Sequence, residues 1–177
     1  MKNILAFGAS SSANSINKTF ANYSSKQIPN SIINLLDLND FEMPIFSIDK
    51  QKAKGIPKEA TYFKRHISNS DAIIISFAEH NGSYTSAFKN ILDWTSRIER
   101  IVWCGKPMLL LSASDGERGA KLVLDTAFNR IKRENSDTLF KFSLKNFHSS
   151  FDLEKGILDA ELNKTYKTVL RDFTKVI

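Results

Sequence analysis

The 177-residue sequence holds one cysteine, Cys104, and three histidines, His66, His80 and His148. A single cysteine excludes an intramolecular disulfide and a cysteine-rich metal site, and it suits a reducing compartment, so a cytoplasmic location is expected. The histidines lack metal-ligand spacing and have no nucleophile beside them, so neither a metal site nor a catalytic side chain is expected; His80 reads as a stacking or exposed residue. No apolar run is long enough to cross a bilayer, and the opening stretch MKNILAFGASSS reads as a first strand rather than a leader, so no membrane partner is expected. Repeats, low-complexity tracts and Pro-rich or Gly/Ser-rich linkers are also lacking, which favours one domain over residues 1–177.

The chain does have apolar residues enough for a core, at 42 % of its length, and an excess of basic over acidic residues, 25 against 19, for a net charge of +6. The basic residues are scattered (Lys50, Lys52, Lys54, Lys58, Lys64, Arg65, Lys132, Arg133). Scattering favours a solvated surface over a nucleic-acid interface, and no nucleic-acid partner is expected.

Five short apolar runs have the length of buried strands: Ile4 to Phe7, Ile32 to Leu36, Ala72 to Phe77, Met108 to Leu111 and Leu139 to Phe142. Helical stretches lie between and after them, near Ser15 to Gln27, Pro57 to Asn69, Ser86 to Glu99, Arg118 to Arg133 and Asp159 to Val176. Strict alternation predicts an α/β, flavodoxin-like three-layer sandwich: a five-stranded parallel sheet in order 2-1-3-4-5 with helices on both faces. The segment Asp40 to Gly55, polar and carrying Pro44, reads as an irregular connection near the ligand site or a subunit interface.

In such a sheet a ligand sits at the carboxyl ends of the strands where strand order reverses, which singles out the loops after strands 1, 3 and 4. These are GASSSANSIN, AEHNGSY and SASDGERG, the three stretches richest in Gly, Ser and Asn. The first offers a helix N-terminus with the hydroxyls of Ser10, Ser12 and Ser15, a fit for a monoester phosphate; four serines exceed what capping by Ser15 needs. It is neither a Walker loop nor GxGxxG. In the second, Gly82 permits close approach of a flat ring, or Asn81–Gly82 is a plain turn. In the third, Ser114, Asp115 and Gly116 close a ring pocket, or Asp115 is an N-cap; that loop alone does not decide. Trp94 and Trp103, with Phe88 and Ile98, have helical spacing suited to core or interface packing, and Cys104 reads as an inert thiol.

Together the loops resemble the NADPH-dependent FMN reductase family, which includes quinone, chromate and azo reductases. Family members carry GSLRxxSxN, PEYNGSxPxxLKNAIDW and GKPVxxxSxSxGxxGG; here ASSSANSIN, AEHNGSYTSAFKNILDW and GKPMLLLSASDGERGA stand in the same order. The most specific match is the tail Lys89, Asn90, Asp93 and Trp94. The resemblance implies FMN, with Ser10, Ser12, Ser15, Ile16 and Asn17 around its phosphate, Ala78, Glu79, His80, Asn81 and Gly82 along the isoalloxazine, and Ser114, Asp115 and Gly116 bordering the ring. It implies NADPH or NADH as donor, hydride transfer to flavin N5 and onward reduction of flavin, quinone or another small-molecule acceptor, in a homodimer or homotetramer. Ser12 replaces the usual arginine, Ala78 the proline and His80 the tyrosine, while Asp115 and Glu117 add negative charge where a nicotinamide nucleotide enters. The loss of the arginine weakens phosphate binding by about 1 kcal/mol. Competing readings are a flavodoxin-type electron carrier and a cofactor-free nucleotide-binding regulatory module.

Overall fold

A computed structural model of the chain describes residues 1–135 and 138–177. Strands β1 (Lys2–Ala9), β2 (Ser31–Leu36) and β3 (Ala72–Phe77) form the first half of the main sheet. A small hairpin, β4 (Glu79–His80) and β5 (Ser83–Tyr84), follows β3, and β6 (Met108–Ala113) and β7 (Leu139–Leu144) complete the sheet. The order is β2-β1-β3-β6-β7, all parallel, which is the expected 2-1-3-4-5 arrangement counted over the main strands.

The two central strands β3 and β6 are buried at every residue, which is why they read as unbroken apolar runs rather than alternating ones. Side chains on one face (Leu5, Phe7, Ile73, Ile75, Leu110) pack against α3 (Lys58–Ser68), α4 (Ser86–Thr95) and α5 (Lys121–Ile131). Those on the other (Ile4, Ala6, Ile74, Leu109, Leu111) pack against α1 (Ile16–Lys26) and the last helix, Ala160–Thr174. Period-two alternation along each strand feeds both cores. Trp103 and Phe88 are buried in the first layer and Trp94 is buried against Phe46, whereas Ile98 is exposed.

Several expected boundaries shift. Asp40 to Gly55 is not irregular throughout: a 3-10 turn (Leu38–Phe41) leads into it and α2 (Ile48–Lys54) ends it, capped by Ser47 and closed by Gly55 at φ 75°. Its polar sequence hid a short helix with no buried side chain. The segment is tied to α4, since Asn90 Nδ2 donates to Met43 O and Trp94 Nε1 donates to Pro44 O at 2.7 Å. Helix α4 ends at Thr95 rather than Glu99, and α5 begins at Lys121 rather than Arg118, because Gly119 (φ 60°) and Ala120 (φ 57°) are left-handed. After β7 the chain forms α6 (Phe147–Ser150) and a second hairpin, β8 (Phe151–Asp152) with β9 (Gly156–Ile157), before α7 (Ala160–Thr174). These pieces are too short to show a period.

Candidate functional site

The three loops converge at the carboxyl edge of the sheet. Helix α1 can start immediately behind β1 because Gly8 carries no side chain: a Cβ there would stand 2.3 Å from the backbone N of Lys18. Ser15 caps the helix, its hydroxyl accepting from Lys18 N at 3.2 Å. The N–H groups of Ile16 and Asn17, in the first turn, have no partner inside the helix and carry the positive end of its dipole. Ser10 Oγ accepts from Ser12 N at 3.1 Å, folding the loop back over that end, and Ser12 is exposed.

Asn17 is 3 % exposed and both ends of its amide are engaged. Its Nδ2 donates to Ala113 O at 3.1 Å, while its Oδ1 accepts from Ala113 N at 2.9 Å and from Ser76 Oγ at 2.7 Å. The side chain therefore pins α1 to β3 and β6 instead of reaching outward. Thr85 makes a second tie, capping α4 through Phe88 N and donating to Ala9 O at 2.9 Å.

The second loop is the hairpin β4–β5. Asn81 (φ 52°) and Gly82 (φ 73°) are both left-handed, as a two-residue hairpin turn demands, so the turn reading of Asn81–Gly82 holds in a form tighter than a strand-to-helix turn. A Cβ at Gly82 would meet only Leu122 Cδ1 at 3.6 Å, leaving that side open. Glu79 is turned away from solvent: its Oε2 accepts from Val123 N at 3.0 Å and supplies the cap that Ala120 cannot give α5. His80 is exposed.

In the third loop Asp115 is not the N-cap of α5. Its Oδ1 accepts from His148 N at 3.3 Å, at the start of α6, and its Oδ2 lies 3.3 Å from His148 Nε2. Ser114 N donates to Leu144 O and Ser114 O accepts from Phe147 N, so the loop is laced to the segment after β7.

A cleft of about 300 Å³ opens where the loops meet. Ten of the thirteen residues expected there line it: Ser10, Ser12, Ser15, Ile16, Asn17, Ala78, Glu79, His80, Ser114 and Asp115. Asn14 and Ala113 join the wall, while Asn81, Gly82 and Gly116 lie on the same loops but off it. The hydroxyl-rich loop over a helix N-terminus fits a phosphate, and Ala78, Glu79 and the exposed His80 give the cleft a wall for one edge of a flat ring, so the residues present suit FMN. Among the described residues, no cluster of His, Cys, Asp and Glu suits a metal ion, and no helix is long and apolar enough to cross a membrane.

Comparison with known proteins bears on this edge of the sheet. The sequence profile of the family described as NADPH-dependent FMN reductase matches residues 2–132, a stretch that contains all three loops. The probable NADPH:quinone oxidoreductase 2 of Oryza sativa subsp. japonica is 25 % identical over 149 residues, covering 82 % of this chain and 71 % of its own length. The quinone reductase of Escherichia coli (strain K12) is 31 % identical over 78 residues, covering 44 % of this chain and 42 % of its own. Among solved structures, FerB, a flavoenzyme NAD(P)H:(acceptor) oxidoreductase from Paracoccus denitrificans, superposes with a TM-score of 0.77 at 22 % identity, over 99 % of this chain and 96 % of its own, a likeness of fold.

Proposed function

The chain belongs to the NADPH-dependent FMN reductase family and is an FMN-dependent oxidoreductase using a nicotinamide donor; we propose that its cleft seats the flavin at the three loops and that quinones or other small oxidants are its acceptors. The observation that carries the placement is the single cleft joining the serine loop at the α1 N-terminus to the β4–β5 hairpin and the Ser114–Asp115 turn.

When bound, FMN supplies the hydride-accepting and electron-donating chemistry. The chain's own part is binding and orientation. The Ile16 and Asn17 N–H groups and the hydroxyls of Ser10 and Ser12 hold the phosphate, without the guanidinium that many relatives use. The hairpin, fixed at one end by Glu79 on α5 and at the other by Thr85 on Ala9, gives the ring a rigid edge. The N–H group of Asp115, which bonds no carbonyl among the described residues, would be a donor for the side of the ring where negative charge gathers on reduction. No side-chain nucleophile or general base is used. The protein works in the cytoplasm as a homodimer or homotetramer.

The test is an absorbance spectrum of protein incubated with FMN and desalted, before and after anaerobic NADPH or NADH. Retained flavin that bleaches supports the reductase. Retained flavin that stays yellow with both donors points to an electron carrier, and a colourless protein removes the flavin from the cleft.

A further inference from the structure

Away from the flavin cleft, the chain's one cysteine meets a buried lysine. Lys64 projects from α3, is 6 % exposed, and reaches into the turn between α4 and β6. Its Nζ donates to Ile101 O at 3.2 Å and to Val102 O at 2.7 Å, lies 2.7 Å from Glu99 Oε2 and stands 3.1 Å from Cys104 Sγ. An ammonium has three N–H bonds, so the two carbonyls and the carboxylate satisfy it without the sulfur. The turn holds Cys104 itself at φ 54°, a left-handed backbone that a non-glycine residue seldom adopts, ahead of Gly105 at φ 64°. A sulfur and an amine 40 residues apart in sequence are thus kept in contact by bonds that neither of them makes to the other.

Cys104 is partly exposed, so a small oxidant reaches its sulfur from solvent. A thiolate formed there is set against a buried positive charge, the kind of surroundings in which cysteines react. The chain has no second cysteine, so an oxidised Cys104 cannot be resolved by a thiol of its own molecule. The amine of Lys64 is in place to do it instead. The Ser68 hydroxyl, 3.8 Å from the sulfur, is farther away and a weaker nucleophile.

We propose that Cys104 and Lys64 form a reversible oxidative cross-link, a direct S–N bond made at the expense of hydrogen peroxide. In the first step Sγ attacks a peroxide oxygen: an S–O bond forms, the O–O bond breaks, and the departing hydroxide takes the thiol proton and leaves as water. Cys104 is then a sulfenic acid, and the peroxide has been reduced. In the second step Nζ passes one proton to Glu99 and attacks the sulfur: the S–N bond forms, the S–O bond breaks, and the hydroxyl leaves as water with a second proton from Nζ. Thiol, ammonium and one peroxide thus give a sulfenamide, two waters and a proton that Glu99 releases to solvent. A dithiol reductant reverses the link, returning thiol and amine while it becomes a disulfide. The link ties α3 to the turn ahead of β6 and restricts the unfolded chain as a disulfide does. Lys64, Glu99 and Cys104 all lie off the flavin cleft, so the inference stands apart from the reading of that site.

The test treats the full chain, as purified, with hydrogen peroxide, blocks remaining thiols with an alkylating reagent, and reads the product by intact mass and tryptic peptide mapping. The expected product is a single chain lighter by two hydrogens, in which the peptide 59–65, uncut after Lys64, is joined to the peptide 101–118 that carries Cys104. Dithiothreitol is expected to restore both peptides. The thermal midpoint of the linked protein is expected to stand about 5 °C or more above that of the same sample after dithiothreitol. Cys104→Ser gives no link and no such shift. Lys64→Arg, which keeps a cation under the turn but removes the amine, gives Cys104 sulfinic acid or a disulfide-joined pair of chains in place of the link. Either of those products in the parent chain, with no peptide 59–65 attached to Cys104, overturns the proposal, and so does a thiol that survives the peroxide. A link that holds an extra oxygen overturns the direct S–N bond. The peptide map of the parent decides by itself if Lys64→Arg does not fold.

Discussion

The residue that matters most beneath the cleft is one whose side chain never enters it. Asn17 satisfies Ser76 Oγ and both backbone groups of Ala113 in a fully buried position, so removing its amide strands three polar groups at once. Each buried group left unpaired costs about 1–3 kcal/mol, which makes Asn17→Ala one of the more destabilising single changes available here. A urea titration is expected to place it about 3 kcal/mol or more below the parent. Ser12 is the opposite case. It is exposed, it touches nothing beyond the loop, and many family members have an arginine there. Ser12→Arg adds a charge-assisted contact to a bound phosphate at no cost to packing, and FMN affinity measured by flavin fluorescence is expected to rise about tenfold. An unchanged affinity would place the phosphate away from this loop. Cys104, read from sequence as an inert thiol, has a partner that its local sequence gives no hint of: Lys64 Nζ, largely buried, lies 3.1 Å from its sulfur and also donates to Val102 O at 2.7 Å. That lysine anchors the turn between α4 and β6.

At the scale of elements, the close fit of α1 on β1 depends on Gly8. Any side chain there collides with backbone, not with a rotatable group, so Gly8→Ala must displace the helix N-terminus from the sheet. A loss of about 2–3 kcal/mol in urea unfolding is expected, together with loss of FMN retention, because the same turn carries the phosphate donors. The central strands were legible because burial on both faces writes continuous apolar runs, whereas the edge strands β2 and β7 are partly exposed, and β7 holds as a strand despite the exposed Lys141 in its middle. Helix starts were legible where Ser15, Thr85 and Asp159 cap them. The start of α5 was not: Ala120 offers no capping side chain, and the cap comes from Glu79, 44 residues away. The loops of the site stood out by their Gly, Ser and Asn content. The inward turn of Asn17 did not, since it depends on contacts with β3 and β6, strands far from it in sequence.

For the whole molecule, stability against pH has two edges with separate origins. On the acid side, the Asp37 carboxyl is held below its ordinary value of 3.8 chiefly by the hydrogen bond from Lys18, with Asn39 N–H adding to it. Asp152 is lowered by the N–H groups of Lys155 and Glu154, and Asp172 by Lys175 and then Arg171. Folded values below the unfolded one mean that this stabilisation is complete above 3.8 and is lost as pH falls through the folded values. On the alkaline side, burial pushes the Tyr84 phenol up from 10.0 to about 12, and burial raises Tyr166 as well, its hydroxyl donating to Ser24 Oγ at 2.9 Å. These groups are raised, so their contribution is complete below 10.0 and is lost as pH climbs from there toward the folded values. Tyr166 sits between α1 and β7, packed on Phe20 and Phe142, so its ionisation loosens the layer that carries the phosphate helix. Thermal midpoints followed across pH are expected to hold a plateau through neutrality and to fall beyond each edge. Tyr166→Phe forfeits the bond to Ser24, lowering stability at neutral pH by about 1 kcal/mol, yet it lessens the alkaline fall, because the half-buried Tyr23, also raised by burial, is then the phenol left to ionise beside it. If the alkaline fall keeps its full depth in both Tyr166→Phe and Tyr84→Phe, its origin does not lie in these two buried phenols.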